Sequence, residues 1–234
     1  MKKQFMKFLN ISAFILLIGL FIGCVDDSRS SCKTDISTQL YLDFEHLDKN
    51  NLNVFSKVIE KVNVFVFDEN LKLILKSDVS KESLKTFAGT SLHLNPGKYR
   101  VICWANAMDN TFFQGLDVGA NLASGLVNNS SSGNKQAVDG DPLYYVSLDL
   151  DLSPKESIRK TVSFCRAHTQ LELFIQGFTD LNEEGVNMPP LVEVVNLPSG
   201  YDFDMLSTGS DLSLGNITSY KEVDGKKQLW LNLM

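Results

Sequence analysis

The stretch Leu94-Asn95-Pro96-Gly97-Lys98-Tyr99-Arg100-Val101-Ile102-Cys103-Trp104-Ala105-Asn106 decides the fold class of this chain. Pro and Gly at the second and third turn positions suit a type II turn, because Gly supplies the positive φ that this turn requires. Beyond the turn the residues alternate with the period of a β-strand, and one face consists of Tyr99, Val101, Cys103 and Ala105. We therefore predict a strand over Ser91–Leu94, a turn, and a second strand in which the chain runs back.

The same alternation recurs on both sides of this stretch. Ile36–Phe44 alternates cleanly, Val62–Phe67 is apolar on nearly both faces, and Tyr144–Leu152 alternates again. Leu71–Leu75 follows the turn cluster at 68–70 and reads as a hairpin partner of Val62–Phe67. Helical amphipathic runs are scarce, so the pattern predicts an all-β protein built of sandwiches. Two stretches lack a strand period: 78–87, predicted as a short helix or loop, and 106–141, predicted as a long loop.

The chain is predicted to hold two similar β domains in tandem. His168-Thr169-Gln170-Leu171-Glu172-Leu173 resembles Ser37-Thr38-Gln39-Leu40-Tyr41-Leu42, and each stands at the start of a β module. We place the N-terminal sandwich at 35–158 and the C-terminal one at 159–234. The second leaves about 70 residues, which is thin for a seven-stranded sandwich. It is therefore either incomplete in this chain or completed by another polypeptide.

The N-terminus reads as a bacterial lipoprotein signal. Three lysines precede an uncharged run, Phe8–Gly23, and the run closes on Phe21-Ile22-Gly23-Cys24. We predict a signal peptide at 1–23, cleavage between Gly23 and Cys24, and diacylglycerol and an N-acyl chain on Cys24. The alternative is a transmembrane helix, but the run is shorter than the roughly 20 residues that a spanning helix needs. A polar, lipidated tether at 24–34 would follow.

Charge and residue spacing exclude several classes of function. Without the signal peptide the chain keeps 19 of its 22 basic residues against 28 acidic ones, a net charge of −9. Such a protein is a poor candidate for binding nucleic acid. The sequence has no metal-ligand spacing and no catalytic motif, and its three histidines are scattered. We therefore predict neither an enzyme nor a metal site, and no cofactor besides the lipid on Cys24.

Cysteine counting leaves the disulfide question open. If Cys24 is acylated, then Cys32, Cys103 and Cys165 remain, so at most one pair can form. Cys103 and Cys165 both stand in apolar strand patterns, and we predict that they are buried free thiols.

The chain resembles the FimB/Mfa2 family of Bacteroidetes fimbrial anchor lipoproteins. Three features carry this resemblance, in family order: the lipobox ending at Cys24, the strand Val62–Asp68 with its hairpin, and Leu94–Asn106 with its Pro-Gly-x-Tyr turn and Trp-Ala-Asn end. The resemblance covers roughly residues 20–200 and implies two transthyretin-like sandwiches. It also implies a lipoprotein of the outer membrane, exposed at the cell surface. Its partner would be a fimbrial stalk subunit, and the protein would anchor the fimbria and limit its length.

In this family, subunits join by strand exchange, in which a strand of one subunit fills a groove in the next. The resemblance implies that an anchor keeps its own first strand, here Ile36–Phe44. We place a possible contact with the stalk at the alternating residues Leu229, Leu231 and Leu233; the alternative is an ordinary strand of the second domain. A rival function is a surface adhesin or glycan-binding module, in which Trp104, Trp230 and Tyr144 would stack on sugars.

Overall fold

The computed structural model describes residues 37–130, 140–154, 157–168, 171–175, 191–209, 212–217, 219–223 and 226–233. Strands dominate this part of the chain, and the helices are short, so the all-β prediction is confirmed. The helices are α1 (Phe55–Val58), α2 (Lys81–Thr86) and a 3₁₀ turn at Leu122–Ser124. The strands are β1 Thr38–Glu45, β2 Val62–Phe67, β3 Leu73–Val79, β4 Gly89–Leu94, β5 Gly97–Ala105, β6 Thr111–Gln114, β7 Leu126–Asn129, β8 Tyr144–Leu152, β9 Ser157–Ser163, β10 Cys165–Arg166, β11 Leu171–Ile175, β12 Leu191–Leu197, β13 Gly200–Asp202, β14 Ser207–Thr208, β15 Leu212–Ile217, β16 Ser219–Val223 and β17 Lys226–Leu233.

Two sheets form a sandwich around the first hydrophobic core. One sheet has the order β4-β1-β9 and the other β10-β8-β5-β2-β3. Both sheets direct apolar side chains into the space between them, including Leu40 and Leu42 of β1 and Val64 of β2, all of which have no exposed surface. The alternating residues of β1 are buried one by one, as period-two patterning predicts.

The five-stranded sheet is buried on its second face as well. Phe65, Ile102 and Trp104 belong to a second core, which also includes residues of β6, β7 and the β13 region. These three short strands and β14 form a sheet of order β14-β13-β7-β6. All six residues of β2 are therefore buried, which explains why its sequence is apolar on both faces.

The prediction of a long loop over 106–141 is wrong between residues 111 and 129. Residues 111–114 and 126–129 are the paired strands β6 and β7. Four-residue strands are too short for alternation to mark them against the polar residues around them. Of the two alternatives predicted for 78–87, the structure has the short helix, α2. Its N-cap Ser80 accepts a hydrogen bond from the N–H of Ser83.

The Pro-Gly segment does not close a hairpin. β4 pairs with β1, whereas β5 pairs with β2 and β8 in the opposite sheet, so Asn95–Gly97 carries the chain from one sheet to the other. Gly97 has φ = 158°, far from the value of about +80° that a type II turn requires. The predicted turn type is wrong because a crossing between packed sheets needs a more extended backbone than a hairpin.

The C-terminal strands form two further sheets, β11-β17-β16 and β12-β15. Residue 158, the predicted end of the first domain, lies inside β9, and β9 pairs with β1 along its length. β13, from the region assigned to the second domain, pairs with β7. The division of the chain into two domains remains a prediction.

Candidate partner-binding edges

β1 is the middle strand of its sheet. It runs antiparallel to β4, from Thr38 opposite Leu94 to Asp43 opposite Gly89, and parallel to β9 from Gln39 to Glu45. The hydroxyl of Thr38 donates to the carbonyl of Ser153 at 3.1 Å and fixes the start of the strand. Both backbone edges of β1 are therefore used, and the sandwich is completed by a strand from its own chain.

β9 presents the outer edge of this sheet. Within the described residues, β9 pairs on one side only, with β1. Arg159 lies over the ring of Tyr41, with its guanidinium carbon 5.2 Å from the ring centre, and pairs with Asp43 at 3.2 Å. Charged side chains on an edge strand discourage unselective pairing with other strands. Within the described residues, the outer edge of β9 is thus unpaired and carries a charged side chain.

The predicted stalk contact lies in β17. Leu229, Leu231 and Leu233 stand opposite Ile175, Leu173 and Leu171 of β11, and β16 pairs with the other side of β17. The backbone of this strand is therefore paired on both sides. An exchange of strands at this place would require β11 or β16 to give up its position. The role of these leucines in binding remains a prediction.

The predicted lipidation site lies outside the described residues. Gly23 and Cys24 both precede residue 37, and so do Cys32 and the predicted tether. Among the residues that the structure describes, no helix has both the length and the apolar character needed to cross a membrane.

Two histidines that are far apart in the sequence meet at one tyrosine. The rings of His46 and His168 lie 4.8 Å and 5.4 Å from the ring of Tyr144, centre to centre. Nδ1 of His46 lies 2.8 Å from the carbonyl oxygen of Phe164, and Nδ1 of His168 lies 2.8 Å from that of Leu143. The histidines are scattered in the sequence, and only the folding of the chain brings together His46 and His168, which are 122 residues apart.

Burial is the main influence on His168. It lowers the pKa of this imidazole below its ordinary value, the carbonyl of Leu143 opposes the change, and Arg166 and His46 add to it. A lowered pKa means that the folded protein favours the neutral ring. The third histidine, His93, is exposed on β4, as its strand pattern predicts.

The two described cysteines differ in their surroundings. Cys103 is fully buried, and burial raises the pKa of its thiol to about 12, so it is an inert core residue. Cys165 is exposed, and the prediction that it is buried is wrong. β10 is only two residues long and ends the five-stranded sheet, so its side chains are not covered.

The aromatic residues proposed for sugar stacking are core residues. Trp104 has no exposed surface and Tyr144 retains 3%. Neither ring can stack on a glycan without unfolding of its core, so two of the three rings named for glycan binding are excluded. In the described part of the chain, no group of three or more His, Cys, Asp or Glu side chains is arranged to hold a metal ion.

Comparison with known proteins finds one matching family model and several solved structures of similar fold. The family model described as "Fimbrillin-A associated anchor proteins Mfa1 and Mfa2" matches residues 29–232. A comparison with curated proteins found no match. Several solved structures are similar at low identity and support the fold. The fimbrial anchor protein Mfa2 from Porphyromonas gingivalis superposes with a TM-score of 0.63 at 15% identity, over 85% of this chain and 73% of that one.

Two further structures come from Bacteroides species. A candidate adhesin from Bacteroides ovatus has a TM-score of 0.68 at 18% identity, over 85% of this chain and 69% of that one. A candidate polysaccharide-binding protein from Bacteroides thetaiotaomicron has a TM-score of 0.66 at 17% identity, over 84% of this chain and 71% of that one.

Proposed function

The chain belongs to the family of fimbrillin-A associated anchor proteins Mfa1 and Mfa2, and from that premise we propose that it holds the base of a fimbria at the outer membrane. In this proposal a lipid on Cys24 fixes the protein in the membrane, with the folded part exposed at the cell surface. A contact with the first stalk subunit fixes the fimbria to the protein and limits its length. Strand exchange supplies this contact, because paired backbones give strength and alternating side chains give selectivity.

The position of β1 is the observation that carries the proposal. A subunit within a stalk has to accept a strand from its neighbour, so its own sheet must have a place to fill. Here β1 fills the middle of the sheet, buries Leu40 and Leu42 completely, and pairs with both neighbours. A subunit that is complete in this way suits the end of a fibre better than its interior.

Electron microscopy of cells with and without the gene tests the proposal. We expect fimbriae that are longer, loosely held and shed into the medium when the gene is deleted. Restoring the wild-type gene should return short, attached fimbriae. Fimbriae of unchanged length and attachment in the deletion strain would contradict the anchor function. Retention of the purified protein on a glycan array would then favour a surface adhesin instead.

A further inference from the structure

The end of the sandwich at which the N-terminal segment joins the fold carries exposed apolar side chains. We call it the proximal end and define it by Thr38, the turn 68–72, Gly97 and the loop 117–121. Thr38 begins β1 opposite Leu94, and Gly97 begins β5 opposite Leu152. Leu71 and Lys98 line the same shallow groove, so the turn lies beside the start of β5.

Backbone hydrogen bonds hold the loop against the turn. The N–H of Gly119 donates to the carbonyl of Leu73 at 2.7 Å, and the N–H of Leu122 donates to that of Leu71 at 2.8 Å. Leu71 and Val118 therefore sit on adjacent, tied segments. They are 37% and 72% exposed, and Ile74 beside them is 40% exposed. Leu71 is held there in a left-handed conformation, with φ = 58°.

The short stretch of chain between Cys24 and β1 limits how far the proximal end can lie from a membrane to which Cys24 is anchored. Only 13 residues separate Cys24 from Thr38. A coil of this length has a root-mean-square span of about 20 Å and cannot exceed about 45 Å when fully extended. A lipid on Cys24 would therefore keep the proximal end within reach of the bilayer.

We propose that the proximal end is a membrane-contacting surface that lays Val118 and Leu71 into the interfacial layer of the bilayer. This inference rests on the proposed lipid anchor at Cys24. Charges of both signs surround the apolar pair, the acids Glu69 and Asp117 and the lysines Lys72 and Lys98, so the contact depends on apolar burial and not on the charge of the lipid. Apolar side chains at a bilayer surface add affinity in proportion to the area that they bury. The contact would give the anchor a fixed orientation that a lipid alone does not provide.

The opposite end of the sandwich supplies a matched control. Leu52 is 61% exposed. It lies in a turn in which Asp48 accepts a hydrogen bond from the N–H four residues further on, as Asp68 does in the turn 68–72. This turn comes after the end of β1, at the opposite end of the strand. Leu52 is as apolar and as exposed as the proximal residues, and it differs in its distance from the tether. A membrane contact that depends on the proximal end should therefore include Val118 and leave Leu52 in water.

The test uses the full-length lipoprotein, purified from its own cells and placed in vesicles of phosphatidylethanolamine and phosphatidylcholine. Val118→Cys or Leu52→Cys is labelled with the environment-sensitive dye NBD after Cys32 and Cys165 are replaced by serine. Cys103 stays in place, since it is buried and its thiol pKa is raised to about 12. We expect the emission at position 118 to shift to the blue and brighten on membrane binding, and that at position 52 to stay as in buffer.

The outcomes separate this inference from the anchor function. Vesicles that float with the protein while the dye at 118 remains water-like would overturn the membrane contact and leave the lipid anchor intact. Equal shifts at 118 and 52 would also overturn it, since the contact would then have no preferred end. A protein that does not float with vesicles at all would contradict the lipid anchor itself. Leu71→Cys provides a second reading should the change at 118 disturb the loop.

Discussion

Three aspartates build three turns of the fold in the same way. Asp48, Asp68 and Asp202 each use Oδ1 to accept from the N–H groups two and four residues further on, at 2.8–2.9 Å. The residue three positions on has a positive φ each time: Asn51, Leu71 and Met205. The hydrogen bonds from Leu52 and Asn50 also lower the pKa of Asp48. The aspartate thus holds the backbone in a conformation that Asn tolerates and Leu and Met resist.

Leu71→Gly is expected to stabilise the protein in solution. A non-glycine residue in the left-handed region costs roughly 1–2 kcal/mol, and the greater freedom of Gly in the unfolded chain offsets part of the gain. We expect the free energy of unfolding to rise by about 0.5–1 kcal/mol in urea denaturation. Leu71→Ala keeps the strained backbone and serves as the control. A glycine variant no more stable than the alanine variant would show that the turn carries no strain.

His168 is expected to make stability depend on pH. Because burial lowers its folded pKa, the unfolded chain takes up the proton first as the pH falls below the ordinary value of 6.5. The free energy of unfolding that the neutral His168 ring provides is therefore fully present above about pH 6.5, and it is lost as the pH falls towards the lower pKa of the folded state. Urea denaturation at about pH 7.5 and about pH 5 should show that the free energy of unfolding falls less between these pH values for His168→Gln than for the wild type. His93→Gln, on the exposed face of β4, is the control, and its free energy of unfolding should fall as much as that of the wild type. Equal decreases in all three proteins would exclude His168 as the source of the pH dependence.

At the scale of elements, β17 holds the C-terminal three-stranded sheet together. It pairs with β11 from Leu171 to Ile175 and with β16 from Ser219 to Val223. A charge on one face of such a strand acts on that face alone, because successive side chains point to opposite sides. This separation allows a test of the predicted stalk contact.

Leu231→Asp is expected to block stalk attachment without unfolding the first sandwich. The alternation of Leu229, Leu231 and Leu233 suggests an apolar contact face on this strand. A carboxylate on such a face is costly to bury, so the substitution should prevent the contact. Asn232→Asp adds the same charge on the other face and should leave attachment unchanged. Co-purification with fimbrial protein measures attachment, and protection of the buried Cys103 thiol from labelling checks that the first sandwich stays folded. Normal attachment of the Leu231→Asp protein would remove this strand from the interface.

At the scale of the whole molecule, one central sheet is shared by two cores. Its first face packs on the β4-β1-β9 sheet, and its second face packs toward β6, β7 and the β13 region through Trp104 and Phe203. The aromatic rings of Phe65 and Phe203 lie 5.0 Å apart and join distant parts of the chain. In the described part of the molecule, the large aromatic rings Trp104, Phe65 and Phe203 are therefore buried, and strand edges and exposed aliphatic side chains remain as surfaces for partners.

Cys24→Ser is expected to release the protein from the membrane. If Cys24 carries acyl chains, the serine variant loses both its label after growth in radioactive palmitate and its partition into detergent, because stable anchoring depends on those chains. Cys32→Ser is the matched control and should keep both. A Cys24→Ser protein that stays in the membrane would favour the alternative of a spanning N-terminal helix.

The sequence by itself determined the long strands of the first sandwich and which of their faces are buried, but not the four-residue strands β6 and β7. The strands predicted at Ile36–Phe44, Val62–Phe67 and Tyr144–Leu152 could be found because burial on one or both faces gives consecutive residues a local pattern. Only the tertiary structure decided which strands are neighbours. It separates β4 from β5 despite the Pro-Gly segment between them, brings His46 to His168, exposes Cys165, and buries Trp104 and Tyr144. Such pairings depend on contacts between residues far apart in the chain, and a periodicity of two carries no record of which distant strand will share the sheet.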